Sequence, residues 1–127
     1  MEMASAVKRV LVVDDNADAA FLVAELLKYR GHNVEVAVGG PEGFAAATAM
    51  IPDVVLLDLG MPMMDGYQVA KALRDGTSTC AMRLIALTAW GDTESRSRVI
   101  QAGFDEHLVK PANFGELYEA VESHGRP

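Results

Sequence analysis

The chain of 127 residues has the length of one domain, which excludes a two-domain enzyme. Half of its residues are apolar and 23% are charged, so it is too apolar for a disordered chain, and no apolar run approaches the ~18 residues of a membrane span. The formal net charge of −7 argues against a nucleic-acid-binding surface, and the single cysteine, Cys80, excludes an internal disulfide. We expect one acidic, cytoplasmic domain over residues 1–127, with a core at about 7–123 and loose ends at 1–6 and 124–127.

The first half of the chain alternates strand and helix patterns. Residues 9–13 form an aliphatic run typical of a strand that is buried on both faces. Apolar residues then recur at helical spacing over 17–27, and Gly31 stands where a helix C-cap belongs. Residues 33–38 alternate polar and apolar side chains, which predicts an edge strand. A second helix is predicted over 41–50, because its opening proline has the φ that a first helical position needs.

The second half of the chain repeats this alternation. Its strand patterns are again apolar, and the last of its helix patterns has apolar residues at i, i+3, i+4 and i+7. In chain order, the predicted elements are a strand at 54–57, a helix after 65–66, a strand at 83–87, a helix at 93–102, a short strand at 108–109 and a helix at 114–121.

The helix predicted at 93–102 differs from the others in its small apolar content. Beyond Val99, Ile100 and Ala102 it offers little to a core. Elements that bury little apolar area lie at the low-stability end of a domain, where moving parts are found. We therefore expect this helix to move when the protein changes state.

Five successive β–α units imply a doubly wound α/β fold, with a parallel sheet, helices on both faces and right-handed crossovers. In such folds, ligands bind beyond the carboxyl ends of the strands, where the strand order reverses. The functional site is therefore expected at this edge of the sheet.

Polar residues follow four of the five predicted strands. Because three carboxylates close together repel one another, one or more would have a raised pKa unless a cation lay between them. Carboxylate oxygens are the ligands that hard divalent ions prefer, so Mg²⁺, for which Mn²⁺ may substitute, is favoured over zinc. The residues at the strand ends are Asp14-Asp15, Asp58, Thr88-Ala89 and Lys110-Pro111.

The other groups at this edge suit a phosphoryl group. Lys110 offers a compact positive charge, Thr88 a hydroxyl group and Ala89 a backbone N–H. A carboxylate that attacks phosphorus is an established form of covalent catalysis, and neutralisation of charge supplies much of the rate of such transfers. The pattern indicates a phosphoryl-binding Mg²⁺ site with a carboxylate nucleophile.

In this order, the motifs resemble the receiver domain of two-component response regulators. The separations of 43, 30 and 22 residues between Asp15, Asp58, Thr88 and Lys110 are similar to those of that family, as is the loop LGMPMMDG after Asp58. The resemblance covers roughly residues 7–123. It implies a flavodoxin-like five-stranded sheet with strand order 2-1-3-4-5.

The resemblance also implies a role for each residue of the set. Asp58 would be the phosphoacceptor, Lys110 would pair with the phosphoryl group through a cis Lys110-Pro111 bond, and Thr88 would be the switch residue. The backbone of Ala89 would contact the phosphoryl group. The implied Mg²⁺ ligands are Asp14, Asp15, Asp58 and the backbone carbonyl of Gly60.

Two further features concern switching and phosphoryl lifetime. His107 stands where many family members have an aromatic residue that moves with the switch threonine, and histidine has a reference pKa near 6.5. We expect His107 to act as a pH-sensitive switch residue, with a solvated histidine as the alternative. Gly60 cannot orient an attacking water and Trp90 could shield the site, so we expect slow self-dephosphorylation.

The implied partners are a histidine kinase or histidine phosphotransfer protein, and an unidentified output protein that reads the face around the fourth helix, fifth strand and fifth helix. We expect a phosphoacceptor rather than an enzyme, with no direct nucleic-acid or membrane contact, as a monomer or weak dimer. It is either a free-standing receiver or the receiver portion of a longer hybrid sensor kinase.

Other functions fit the residues less well. A haloacid-dehalogenase-type phosphatase needs a second aspartate two residues after its nucleophile, whereas Asp14 is followed by Asp15 and Asn16. A mononucleotide-binding flavodoxin needs a Ser/Thr/Gly-rich loop after the first strand, where this acidic segment would repel phosphate. Asp14 and Asp15 could also serve only as helix caps.

Overall fold

The computed structural model describes residues 7–61, 64–89, 91 and 93–123. Strands and helices alternate throughout this part of the chain. The elements are β1 (Arg9–Val13), α1 (Ala17–Tyr29), β2 (Asn33–Ala37), α2 (Gly40–Met50), β3 (Val54–Asp58), α3 (Gly66–Asp75), β4 (Arg83–Thr88), α4 (Thr93–Gln101), β5 (Glu106–Val109) and α5 (Phe114–Glu122).

The strands form one parallel sheet in the order β2-β1-β3-β4-β5, as expected for a flavodoxin-like fold. Every residue of β3 and β4 is buried, whereas β2 alternates between exposed and partly buried residues and lies at an edge. The predicted edge strand is therefore confirmed. β5 is two residues longer than predicted, because its polar first half, Glu106 and His107, does not show a strand pattern.

The core has one layer on each face of the sheet because successive strand residues point to opposite faces. Leu11 and Val13 of β1 pack with α2, α3 and α4 on one face. Val10 and Val12 pack with α1 and α5 on the other. The predicted doubly wound arrangement is confirmed, and it brings the carboxyl ends of all five strands to one edge.

Local capping residues fix where several helices begin and end. Asn16 caps α1, and capping boxes begin α3 at Asp65 and α5 at Asn113. The C-cap of α1 is Arg30, and Gly31, with φ of 108°, follows it in the left-handed region. The glycine predicted as the cap is thus the residue after the cap.

α4 is held to the core by few apolar contacts, as its sequence predicts. Val99 is the buried residue of this helix, and Ala102 packs partly against the same core layer. Ile100, which the sequence offered to the core, is 70% exposed. Among the residues that the structure describes, no helix has both the length and the apolar character needed to span a bilayer.

Candidate functional site

The carboxyl ends of four neighbouring strands bring the predicted site residues together. Asp58 is the last residue of β3 and Thr88 the last residue of β4, while Asp14 directly follows β1 and Lys110 directly follows β5. Asp14, Asp58 and Thr88 are buried, and Asp15 is exposed. The strands themselves therefore carry two of the site residues that the sequence placed just beyond them.

The three aspartates form one acidic cluster. An oxygen from each of the Asp14, Asp15 and Asp58 carboxylates lies within 4.8 Å of the others. The N–H of Asn16 donates to Oδ1 of Asp14 at 3.0 Å, and the side chain of Asn16 accepts from the N–H of Ala19. Because Asn16 provides the cap of α1, helix capping does not account for Asp14 and Asp15.

Lys110 joins two members of this cluster. Its Nζ donates to Oδ1 of Asp58 at 3.1 Å and to Oδ2 of Asp14 at 3.3 Å. Its backbone N–H donates to the carbonyl of Thr88 at 2.8 Å, and its bond to Pro111 is cis, as the resemblance implied. The lysine side chain is therefore held between the ends of β1 and β3.

The site has an excess of negative charge. Burial, with a further contribution from the Asp58 charge, raises the pKa of Asp14 above 3.8, against the opposing effects of the Asn16 N–H and of Lys110. Burial acts to lower the pKa of Lys110, but its hydrogen bond to Asp58 and the two nearby carboxylates outweigh burial and raise it. One ammonium group leaves the acidic cluster short of positive charge, and its all-oxygen donor set fits a hard divalent cation.

A cavity of about 640 Å³ opens onto this edge of the sheet. The described residues that line it include Asp58, Gly60, Thr88, Ala89 and Lys110 from the predicted set. A side chain at Gly60 would point into open space, since a Cβ built there meets no heavy atom within 4 Å. His107 lies on β5 opposite Ala86 and is not among the residues that line the cavity, and Trp90 lies outside the described residues.

Sequence reasoning missed the outer part of this cavity. The additional lining residues come from the α3 and α4 sides: Leu59, Asp65, Tyr67, Glu94, Ser95 and Arg98. Asp65 and Tyr67 carried signals for the start of a helix and for a helix core, and nothing in the α4 segment marked a face for the site. The spacing of Glu94 and Arg98, which are i and i+4, shows that they share a face but does not show toward what.

Comparison with known families gives one consistent result. The family model described as the response regulator receiver domain matches residues 10–122. Among curated proteins, the DNA-binding dual master transcriptional regulator RpaA of Synechocystis sp. is 33% identical, and the transcriptional regulatory protein PrrA of Mycobacterium tuberculosis is 36% identical, each over 115 residues. These matches cover 91% of this chain and 48% of each relative, so the chain spans about half the length of these relatives.

Solved structures agree with this result. The chemotaxis protein CheY4 of Vibrio cholerae has a TM-score of 0.86 and 31% identity, with 91% of this chain and 97% of that chain covered. The signal receiver domain of a histidine kinase from Syntrophus aciditrophicus has a TM-score of 0.82 and 26% identity, with coverage of 91% and 87%. The order of the strands, the acidic cluster at their carboxyl ends and the match over 10–122 lead to one conclusion: the chain belongs to the response regulator receiver domain family.

Proposed function

We propose that Asp58 accepts a phosphoryl group from a phosphohistidine of a partner protein, in a reaction that requires Mg²⁺. The main support for this proposal is that three carboxylates and Lys110 lie close together at the carboxyl edge of the sheet. Response regulators receive phosphoryl groups from histidine kinases, which supports a kinase or a histidine phosphotransfer protein as the donor. The cytoplasmic location, the oligomeric state and the output protein stay predictions.

The surroundings of the three carboxylates favour Asp58 as the nucleophile. Asp14 has one oxygen bonded to the Asn16 N–H and the other to Lys110, and its side chain is 4% exposed. Asp58 is 12% exposed and lines the cavity, unlike Asp14 and Asp15. Its Oδ1 accepts from Lys110, which leaves Oδ2 without a hydrogen-bond donor among the described residues. Oδ2 is therefore the oxygen available to attack phosphorus.

The residues that would hold Mg²⁺ are Asp14, Asp15, Asp58 and the carbonyl of Gly60. When bound, the ion supplies positive charge that neutralises the carboxylates and the phosphoryl oxygens. The excess of carboxylates over ammonium groups at this edge supports this assignment, because the described residues leave that charge unbalanced.

In the proposed reaction, a carboxylate oxygen of Asp58 attacks the phosphorus atom in line with the bond to the donor imidazole. The new P–O bond makes an acyl phosphate, the P–N bond breaks, and the imidazole nitrogen takes up a proton. Lys110 pairs with a phosphoryl oxygen, while the Thr88 hydroxyl and the Ala89 N–H donate to the others. Thr88 then moves, and with it the face formed by α4, β5 and α5.

Relatives contain such domains in two settings, and both interpretations of the sequence are retained as proposals. RpaA and PrrA are about twice as long as the matched region, and the Syntrophus structure is a receiver from a histidine kinase. A free-standing receiver would act by binding an output protein. A receiver within a longer chain would pass the phosphoryl group onward or change the activity of a neighbouring domain.

Intact mass measurement after incubation with acetyl phosphate and Mg²⁺ tests the proposal. The wild-type chain should gain one phosphoryl group, and Asp58→Asn should gain none. Asp53→Asn is a matched control because Asp53 lies at the opposite end of β3, where it accepts the Arg9 N–H, and it should behave as wild type. Equal phosphorylation of Asp58→Asn would contradict the proposal. Continuous release of phosphate over many turnovers would instead support the phosphatase alternative.

A further inference from the structure

Arg98 adds a second positive charge to the cavity that contains Asp58. The cations that line this cavity within the described chain are Lys110 and Arg98. Lys110 is already bonded to Asp58 and Asp14. Arg98 makes no ion pair within 4.0 Å with any carboxylate that the structure describes, so its charge is available to an incoming anion.

A weak contact holds the Arg98 side chain in place. Its guanidinium carbon lies 4.2 Å from the centre of the Tyr67 ring. The Tyr67 ring in turn packs against Phe104 in a T-shaped arrangement, with ring centres 6.3 Å apart, so the ring is held against the core. A cation–π contact of an exposed arginine is weaker than a charge-assisted hydrogen bond to a phosphoryl oxygen. A phosphoryl group in the cavity would therefore compete with Tyr67 for Arg98.

The position of Arg98 on α4 gives this competition a mechanical consequence. The next residue, Val99, is the buried residue that anchors the helix. The carbonyl of Gly103, just beyond the helix, accepts from Nε of Arg74 at 2.9 Å, which fixes the carboxyl end of α4. The amino-terminal residues Thr93 and Glu94 are exposed, and Glu94 lines the cavity. A movement of Arg98 would therefore act directly beside Val99, the buried residue of α4.

We propose that Arg98 is a positioning residue that couples the negative charge at Asp58 to α4. Phosphorylation makes the group at Asp58 more negative, and the planar guanidinium then turns from Tyr67 toward the phosphoryl end of the cavity. This movement uncovers the face of Tyr67, which also borders a groove between α3 and α4 lined by Lys71 and Gln101. The proposal rests on the proposed phosphorylation of Asp58.

Tyrosine ring signals in NMR spectra test this movement with an internal control. Of the three tyrosines, Tyr67 contacts Arg98, whereas Tyr118 has an equivalent contact with Arg30, 4.9 Å from its ring centre, away from the cavity. Addition of beryllofluoride, a phosphoryl mimic, with Mg²⁺ should shift the Tyr67 signals toward those of Arg98→Gln. The Tyr118 signals should stay in place.

A pair of variants on the same helix separates a specific role from a general effect of charge. Arg98→Gln should weaken beryllofluoride binding about 3- to 10-fold, because the coupling is reciprocal. Arg96→Gln removes the same charge from α4, but Arg96 donates to the Gly91 carbonyl and does not line the cavity, so its affinity should change less than about 2-fold. Arg98→Lys, which keeps the charge without the planar fork, should give an intermediate affinity.

The outcomes distinguish this inference from the proposed function. If wild type gains a phosphoryl group but Tyr67 does not respond to beryllofluoride, the role of Arg98 is wrong and the function stands. Equal weakening by Arg98→Gln and Arg96→Gln also contradicts the inference. If wild type gains no phosphoryl group, both proposals fail.

Discussion

The two ends of the sheet use charge in opposite ways. At the amino end, Arg30 bonds both oxygens of Glu122 at 2.7 and 2.9 Å, and Arg83 bonds Glu106 at 2.7 Å as well as the carbonyl of Ala120. These carboxylates each have a cation of their own. At the carboxyl end, three carboxylates cluster, and the ammonium group of Lys110 pairs with two of them, Asp14 and Asp58.

The difference separates stabilising residues from functional ones. The ion pairs of the amino end join elements distant in sequence, such as the ends of α1 and α5, and their charges are balanced without a ligand. The carboxylates at the carboxyl end outnumber the cations that pair with them among the described residues, so we expect this end to lower stability and to favour a bound cation. Functional sites commonly contain unfavourable local arrangements, such as unpaired charges, that the rest of a fold avoids. Interactions elsewhere in the protein compensate for the stability that such sites lose.

The largest effect is expected for Asp15, a proposed Mg²⁺ ligand. Asp15→Asn should weaken Mg²⁺ binding about 100-fold, equivalent to about 2.7 kcal/mol, because a charged oxygen ligand is replaced by a neutral one. Isothermal titration calorimetry measures the affinity. Asp18→Asn, in the first turn of α1, is the matched control and should bind Mg²⁺ as wild type does. Equal loss in both variants would show that the acidic cluster is not a specific site.

At the amino end, loss of a carboxylate should instead lower the free energy of unfolding. Glu122→Gln should lower it by about 2 kcal/mol, since the nearly buried Glu122 bonds both Arg30 and the buried Nε2 of His32 at 2.8 Å. Urea denaturation measures the change. Glu25→Gln breaks an exposed pair with Lys28 at 3.7 Å and should change stability by less than about 0.5 kcal/mol. A Glu122 variant as stable as wild type would remove the contrast between the two ends.

The same type of substitution at the carboxyl end should change the free energy of unfolding in the opposite direction. In the absence of Mg²⁺, Asp14→Asn should raise the free energy of unfolding at pH 7 by about 1 kcal/mol, the usual size of a single-residue effect, because a buried charge near Asp58 is removed. Urea denaturation in EDTA tests this. A lower stability of the variant would show that Asp14 stabilises the metal-free fold.

The pH dependence of that difference follows from the raised pKa of Asp14. Below its ordinary pKa of 3.8, Asp14 is protonated in both the folded and the unfolded chain. Wild type then buries no charge at this position, so Asp14→Asn should differ little from it in free energy of unfolding. As the pH rises through the raised pKa of the folded state, wild type loses stability relative to Asp14→Asn. Above the raised pKa, the difference in free energy of unfolding between wild type and Asp14→Asn should stay constant up to neutral pH. If that difference were the same at acidic pH as at neutral pH, the raised pKa would be contradicted.

The smallest effect concerns backbone conformation at the amino end. Ile51, the C-cap of α2, has φ of 46°, a left-handed conformation that is unfavourable for a β-branched residue. Ile51→Gly should raise the free energy of unfolding by about 0.5 kcal/mol, since relief of strain exceeds the loss of a partly exposed side chain. Mg²⁺ affinity should not change, because Ile51 is remote from the acidic cluster. A change in that affinity would mean that the two ends are not independent.

Sequence reasoning located the strands and most of the site because both depend on local patterns and topology. Apolar runs identified β1, β3 and β4, and the rule for parallel sheets brought Asp14, Asp58, Thr88 and Lys110 to one edge. The polar start of β5 was missed because edge strands need not be apolar throughout.

The remaining features depend on tertiary contacts that a single sequence does not encode locally. Ile100 and Val99 are adjacent and equally apolar, yet the orientation of α4 buries only Val99. Arg98 lines the cavity because α4 lies across from Tyr67, and no spacing along the chain reveals that contact. Ile51 adopts a left-handed conformation because α2 must end before Pro52 and β3, against its own preference.

Borohydride trapping tests the central claim most directly, because it identifies the residue that becomes an acyl phosphate. After incubation with acetyl phosphate, reduction converts a phosphorylated aspartate into homoserine, which peptide mass analysis locates. We expect homoserine at position 58 in the presence of Mg²⁺, and none there when EDTA removes the ion. Homoserine at another aspartate, or equal conversion of Asp58 with and without Mg²⁺, would contradict the account.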